Sequence, residues 1–133
     1  MTERKISTQE RTRWRIGSVN VAVKSARMKD MAGLWYLEVI GESSNDVDPR
    51  YSVHFDVGEV TRKQMLGKTI DVVPDEPDFY LEVTRISRDL TVEVLELDGS
   101  ATKLRVSGRV DWELDPTFEI VGWFFSEDDW QPL

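Results

Sequence analysis

Residues 102–114 read Thr-Lys-Leu-Arg-Val-Ser-Gly-Arg-Val-Asp-Trp-Glu-Leu, and this stretch decides the fold class. Thr102, Leu104, Val106, Gly108, Val110, Trp112 and Leu114 share one parity, and Lys103, Arg105, Ser107, Arg109, Asp111 and Glu113 share the other. Successive side chains of a strand point to opposite faces, so this is a long strand with one apolar and one charged face. Gly108 offers no side chain to pack, and a bend is expected there.

The same period runs outward in both directions. Leu90, Val92 and Val94 alternate with Thr91 and Glu93, and Asp98-Gly99-Ser100 is a tight-turn signal that makes 90–97 and 101–114 a hairpin. Tyr51, Val53, Phe55 and Val57 alternate with Ser52, His54 and Asp56, and Phe79, Leu81 and Val83 alternate with Tyr80, Glu82 and Thr84. Ile70–Val73 adds another short strand. Segments 34–40 and 118–125 are apolar at both parities, which predicts central strands or strands covered on their second side. In 14–23 the apolar parity switches at Gly17-Ser18, from Trp14 and Ile16 to Val19, Val21 and Val23, and a β-bulge would supply the extra residue. The only helix candidate is Glu59–Leu66, with Gly67 as its stop.

The expected fold is therefore all-β, with about eight mainly antiparallel strands in a sandwich or small barrel and one short helix near 59–66. Residues 1–11 read as a flexible tail, 12–126 as a single β domain and 127–133 as an acidic C-terminal tail. A chain of 133 residues with 40% hydrophobic content can build one core without disulfides or a metal. Core is the expected place for Trp35, Trp112 and Trp123.

Cysteine is absent, no apolar run approaches a membrane span, and the N-terminus has no apolar leader, so a cytoplasmic location is expected. The net charge of −8 is uneven: residues 1–15 hold five basic and two acidic side chains, a net of +3, leaving −11 for the rest. An acidic body repels phosphate backbones, so nucleic acid is a poor partner, and no membrane partner is indicated.

Catalytic chemistry has few candidates. With no cysteine and one histidine, a nucleophile–base site would need His54, which lies on the polar parity of its strand. One histidine cannot build a zinc site, and no phosphate-cradling glycine motif occurs. Carboxylates alone remain for an enzyme, so no catalytic residue and no cofactor are expected.

Acidic residues cluster in three places: Asp46 and Asp48 before the Tyr51 strand, Asp75, Glu76 and Asp78 before Phe79, and Asp128 and Asp129 beside Trp130. Alternating aspartates in a loop can bind calcium, which makes Asp46 and Asp48 the candidate metal ligands. The run Asp48-Pro49-Arg50-Tyr51-Ser52-Val53 resembles the Asp-Pro-Tyr-x-x-Val run that follows a calcium loop in C2 domains, which are eight-stranded sandwiches of similar length. The resemblance covers six residues and carries an inserted arginine, and Asp75–Asp78 lacks that family's D-x-D spacing.

The resulting expectation is a non-catalytic acidic protein-binding domain of adaptor, chaperone or immunity/inhibitor type that engages a basic partner protein. Asp46, Asp48, Asp75, Glu76 and Asp78 would form its rim, and Asp128, Asp129 and Trp130 a second patch. The alternative is a ligand-binding sandwich or barrel for calcium, a small molecule or a glycan. A homodimer through an apolar edge strand stays open beside a monomer.

Overall fold

The computed structural model describes residues 12–31, 33–42, 48–58, 60–72, 79–80, 84–85, 87–111 and 116–126. Among them are eleven strands and one helix: β1 (Arg13–Ile16), β2 (Val19–Val21), β3 (Val23–Met31), β4 (Leu34–Gly41), β5 (Arg50–Asp56), α1 (Arg62–Met65), β6 (Thr69–Val72), β7 (Phe79–Tyr80), β8 (Thr84–Arg85), β9 (Ser87–Asp98), β10 (Ala101–Val110) and β11 (Thr117–Phe124). They form a six-stranded sheet in the order β2-β1-β11-β10-β9-β6 and a five-stranded sheet in the order β3-β4-β5-β7-β8. All pairings between these strands are antiparallel. The architecture is a sandwich, and the sheets do not close into a barrel.

The deciding stretch behaves as its alternation predicts. Leu104, Val106 and Val110 are buried in the core cluster, while Lys103, Arg105 and Arg109 face outward in β10. The pairing of β9 with β10 slips between Ser107 and Arg109, which is the expected irregularity at Gly108. Asp89, in the slipped part of β9, takes a φ of 53°. β10 ends at Val110, and Trp112 lies outside the described residues. A two-residue turn at Gly99-Ser100 closes the β9–β10 hairpin, with Asp98 paired to Ala101.

The doubly apolar segments are central strands. β4 runs between β3 and β5, and β11 between β1 and β10. One cluster joins the inner faces of both sheets, from Trp14, Leu104, Phe118 and Ile120 on one side to Met28, Trp35, Leu37 and Tyr51 on the other. Tyr51 meets Phe118 across it at a ring-centroid distance of 5.2 Å. Trp123 is also buried but stands apart from this cluster, because it pairs with Lys103 on the outward parity of β11.

Two expectations are corrected, one strand is unanticipated, and the expected helix is present in shorter form. Residues 14–21 form a hairpin rather than one bulged strand, since β1 pairs with β2 around Gly17-Ser18. Gly17 holds a φ of 58°, and Val19 is 62% exposed, so the parity switch marks a chain reversal at a sheet edge. β3 has no counterpart in the sequence reading, because among its residues only Ala26 and Met28 are buried. The helix is one turn, Arg62–Met65, started by Thr61 in a reciprocal cap with Gln64. Gly67, with a φ of 79°, follows it as the sequence suggests. The single strand expected over 79–84 is instead a reversal: Phe79–Tyr80 pairs antiparallel with Thr84–Arg85, and 81–83 lie outside the described residues.

The sheets are tied at two corners. Beyond β2, Ala22 carries the chain into β3, and Phe125 at the end of β11 bonds the free edge of β3 through Met28 N and Ala26 O. On the far side, 57–68 crosses from β5 to β6, where Gly67 N donates to Val94 O and Lys68 O accepts from Val94 N. No helix among the described residues is long and apolar enough to cross a membrane.

Candidate functional site

Strand direction decides where the acidic segments emerge. β10 and β6 run toward one end of the sandwich, and β11 and β9 run away from it. β4 leads toward that same end and β5 leads back, with β7 paired beside the start of β5 through Arg50 and Tyr80. Segments 42–49, 73–78, 81–83 and 111–116 therefore all bridge strand ends on one side. Together they hold ten carboxylates and no Lys or Arg.

The bases of these connections are pinned by backbone bonds. Gly41 N donates to Pro49 O at 2.8 Å and Glu42 N to Ala22 O at 2.7 Å. A Cβ on Gly41 would lie 2.7 Å from Val21 Cγ1 and 2.9 Å from Pro49 Cγ, so the two chains approach as only glycine permits. At the β10–β11 connection, Val110 N donates to Pro116 O and Gly17 N to Thr117 O.

Of the residues singled out from the sequence, Asp48 is described. It is half-buried, and its carboxylate accepts from Lys24 Nζ at 3.3 Å. A lysine bound there competes with any metal cation for the same oxygen. Asp46, Asp75, Glu76, Asp78, Asp128, Asp129 and Trp130 lie outside the described residues. The described strand ends that flank the two proposed patches lie at opposite ends of the sandwich. The segments holding Asp46, Asp75, Glu76 and Asp78 bridge strand ends at the acidic end, whereas residues after Ser126 follow β11 at the opposite end.

The charge distribution is sharper than the sequence suggested. Outside the four connecting segments the chain holds 17 Lys/Arg and 15 Asp/Glu, a net of +2, so the ten carboxylates of the connections turn a slightly basic remainder into a chain of −8. The rest of the chain is thus nearly neutral, and charges on its strands pair with one another: Arg105 with Glu93 at 3.1 Å, Arg27 with Glu38 at 2.6 Å, Arg109 with Asp89 at 3.7 Å.

His54 is exposed on the outer face of β5, stacked on Tyr36 with ring centroids 5.4 Å apart. Among the described residues no group of three or more His, Cys, Asp or Glu side chains could hold a metal ion. Sequence reasoning missed the opposite end, where Arg62 donates to Gly99 O, Ala101 O and Thr102 Oγ1. No motif marks these residues, since they lie 37 to 40 positions apart. Comparison with known proteins finds no matching family model, curated protein or solved structure.

Proposed function

We propose that this chain is a non-catalytic binding domain whose acidic end engages a basic protein partner, in the manner of an adaptor, chaperone or inhibitor. The observation that carries the reading is the separation of charge: ten carboxylates and no Lys or Arg in the connections at one end, against a net of +2 for the rest of the chain. Loops held by a rigid sandwich are where binding residues concentrate. A one-signed surface of this kind accelerates encounter with an oppositely charged partner and repels phosphate backbones. The absence of cysteine fits a cytoplasmic setting. Asp128, Asp129 and Trp130 follow the opposite end and form a separate patch in this reading.

The test compares the parent chain with one in which Asp46, Asp48, Asp75 and Asp78 become Asn and Glu76 becomes Gln. Each is immobilised, exposed to lysate of the source organism, and washed at low and then high salt before mass spectrometry. A basic protein retained by the parent at low salt, shed at high salt and absent from the neutralised chain is the expected result. Equal retention by the two chains, or retention of no basic protein, overturns the reading. A Trp130→Ala chain run alongside reports the second patch separately.

A further inference from the structure

We propose that the cleft at the end of the sandwich opposite the acidic connections binds a small amphipathic carboxylate. This inference does not rest on the protein-binding reading and uses none of its residues. The cleft has a volume of about 620 Å³, inside the range of roughly 300–1,000 Å³ usual for small-molecule sites. Its walls come from the β3–β4 turn, from the segment around α1 and from the end of β9, residues far apart in sequence that the crossover brings together.

The chemistry of the lining selects the ligand class. Val60 and Leu97 are half-buried and packed against the core, so the floor is apolar. The rim carries Arg62, Lys63 and Asp30. Lys63 is exposed and forms no ion pair among the described residues. The Asp30 carboxylate accepts from Gly33 N at 3.2 Å. Among the described residues the rim presents two cations, Arg62 and Lys63, and one carboxylate, Asp30. An apolar floor below such a rim fits a hydrocarbon tail with a carboxylate head.

The wall is also preformed. A Cβ on Gly33 would lie 2.3 Å from Gly58 O, and Val57 N donates to Gly33 O at 2.8 Å, so the two glycine turns lie in contact. A ligand entering such a site need not order it first.

The full chain is titrated with the straight-chain carboxylates from hexanoate to dodecanoate and with the primary alcohols of matching length. Binding is followed by calorimetry and by the emission of Trp35, the buried cross-strand partner of Asp30, with Trp35→Phe as the reference. Single-site saturation is expected, with affinity rising about fourfold per added CH₂ until the floor is covered. Acids should exceed alcohols by about tenfold, and Lys63→Glu should remove that difference without affecting the alcohols. Val60→Asn should weaken acids and alcohols together. Equal affinity for acids and alcohols, indifference to Lys63→Glu, or no saturable binding below micelle formation overturns the proposal.

Discussion

Replacing Arg62 by alanine tests how the crossover at the cleft end is held to the β9–β10 hairpin. Arg62 Nη1 donates to Thr102 Oγ1 at 2.6 Å and to Ala101 O at 3.4 Å, and Nη2 donates to Gly99 O at 2.9 Å. Thr102 has 0% exposure, so its hydroxyl has no access to water. Two effects add. Bonds from a charged donor contribute about 1.5–3 kcal/mol each when well made, and the 3.4 Å contact contributes little. Truncation also leaves the Thr102 hydroxyl buried without its partner, at a cost of about 1–3 kcal/mol. Because the bond to Gly99 O is exposed it adds little, and the lower ends for the Thr102 bond and its orphaned hydroxyl leave a total of about 3 kcal/mol.

For a domain of this size, that loss corresponds to a fall in Tm of about 10 °C, read by circular dichroism. The companion variant Thr102→Val separates the two effects. Alone it should cost about 1 kcal/mol, because Arg62 keeps its carbonyl acceptors. Added to Arg62→Ala it should restore about 1 kcal/mol, because no orphaned hydroxyl remains. Should Arg62→Ala lower Tm by less than about 2 °C, or should the double variant be the less stable of the two, the anchoring role is refuted.

Gly122→Ala should cost about 3 kcal/mol or more, seen as a lower urea midpoint, because its φ is 150° and the new Cβ would sit 2.3 Å from Thr12 Cα. A midpoint within error of the parent would show that β11 and residue 12 separate easily. Gly33→Ala should be similarly costly, from a φ of 90° and a Cβ 2.3 Å from Gly58 O, and it should also weaken carboxylate binding. Glu38→Gln should destabilise by about 1–2 kcal/mol, since Arg27 Nη2 then loses a half-buried carboxylate at 2.6 Å. An unchanged urea midpoint would reduce that pair to a surface contact.

The fold was legible wherever one strand face is strongly apolar. Leu104, Val106 and Val110, or Tyr51, Val53 and Phe55, state their faces without help. β3 was silent because it is an edge strand with two buried side chains, and its hydrogen bonds to Phe125 leave no mark in composition. The switch at Gly17-Ser18 fits a bulge or a reversal equally well, since either moves Val19 and Val21 to the other parity. Only the edge position, where Val19 can stay exposed, distinguishes them. The acidic loops could be named from sequence, but their shared end could not. It depends on β6 pairing with β9 and β7 with β5, long-range choices that no local pattern encodes. The cleft was invisible for the same reason, as Asp30, Lys63 and Leu97 belong to β3, α1 and β9.

The placement of charge has its own logic. Side chains facing one another across adjacent strands are close enough for like charges to destabilise the sheet, and the ladder Glu93–Arg105–Glu119 shows the balanced solution. Connections are exempt from that constraint, so a surplus can collect there. Solubility requires only net charge and is served best by spreading it, because crowding carboxylates at one end adds repulsion. The two explanations separate if charge is moved without being removed. Asp75→Asn, Glu76→Gln and Asp78→Asn combined with Asn20→Asp, Gln64→Glu and Ser100→Glu keeps the net charge of −8 and uses exposed positions. If placement matters, this chain remains as soluble as the parent but loses the salt-sensitive capture of a basic partner. If capture survives the move, the protein is acidic only to stay in solution, and its partner lies on another surface.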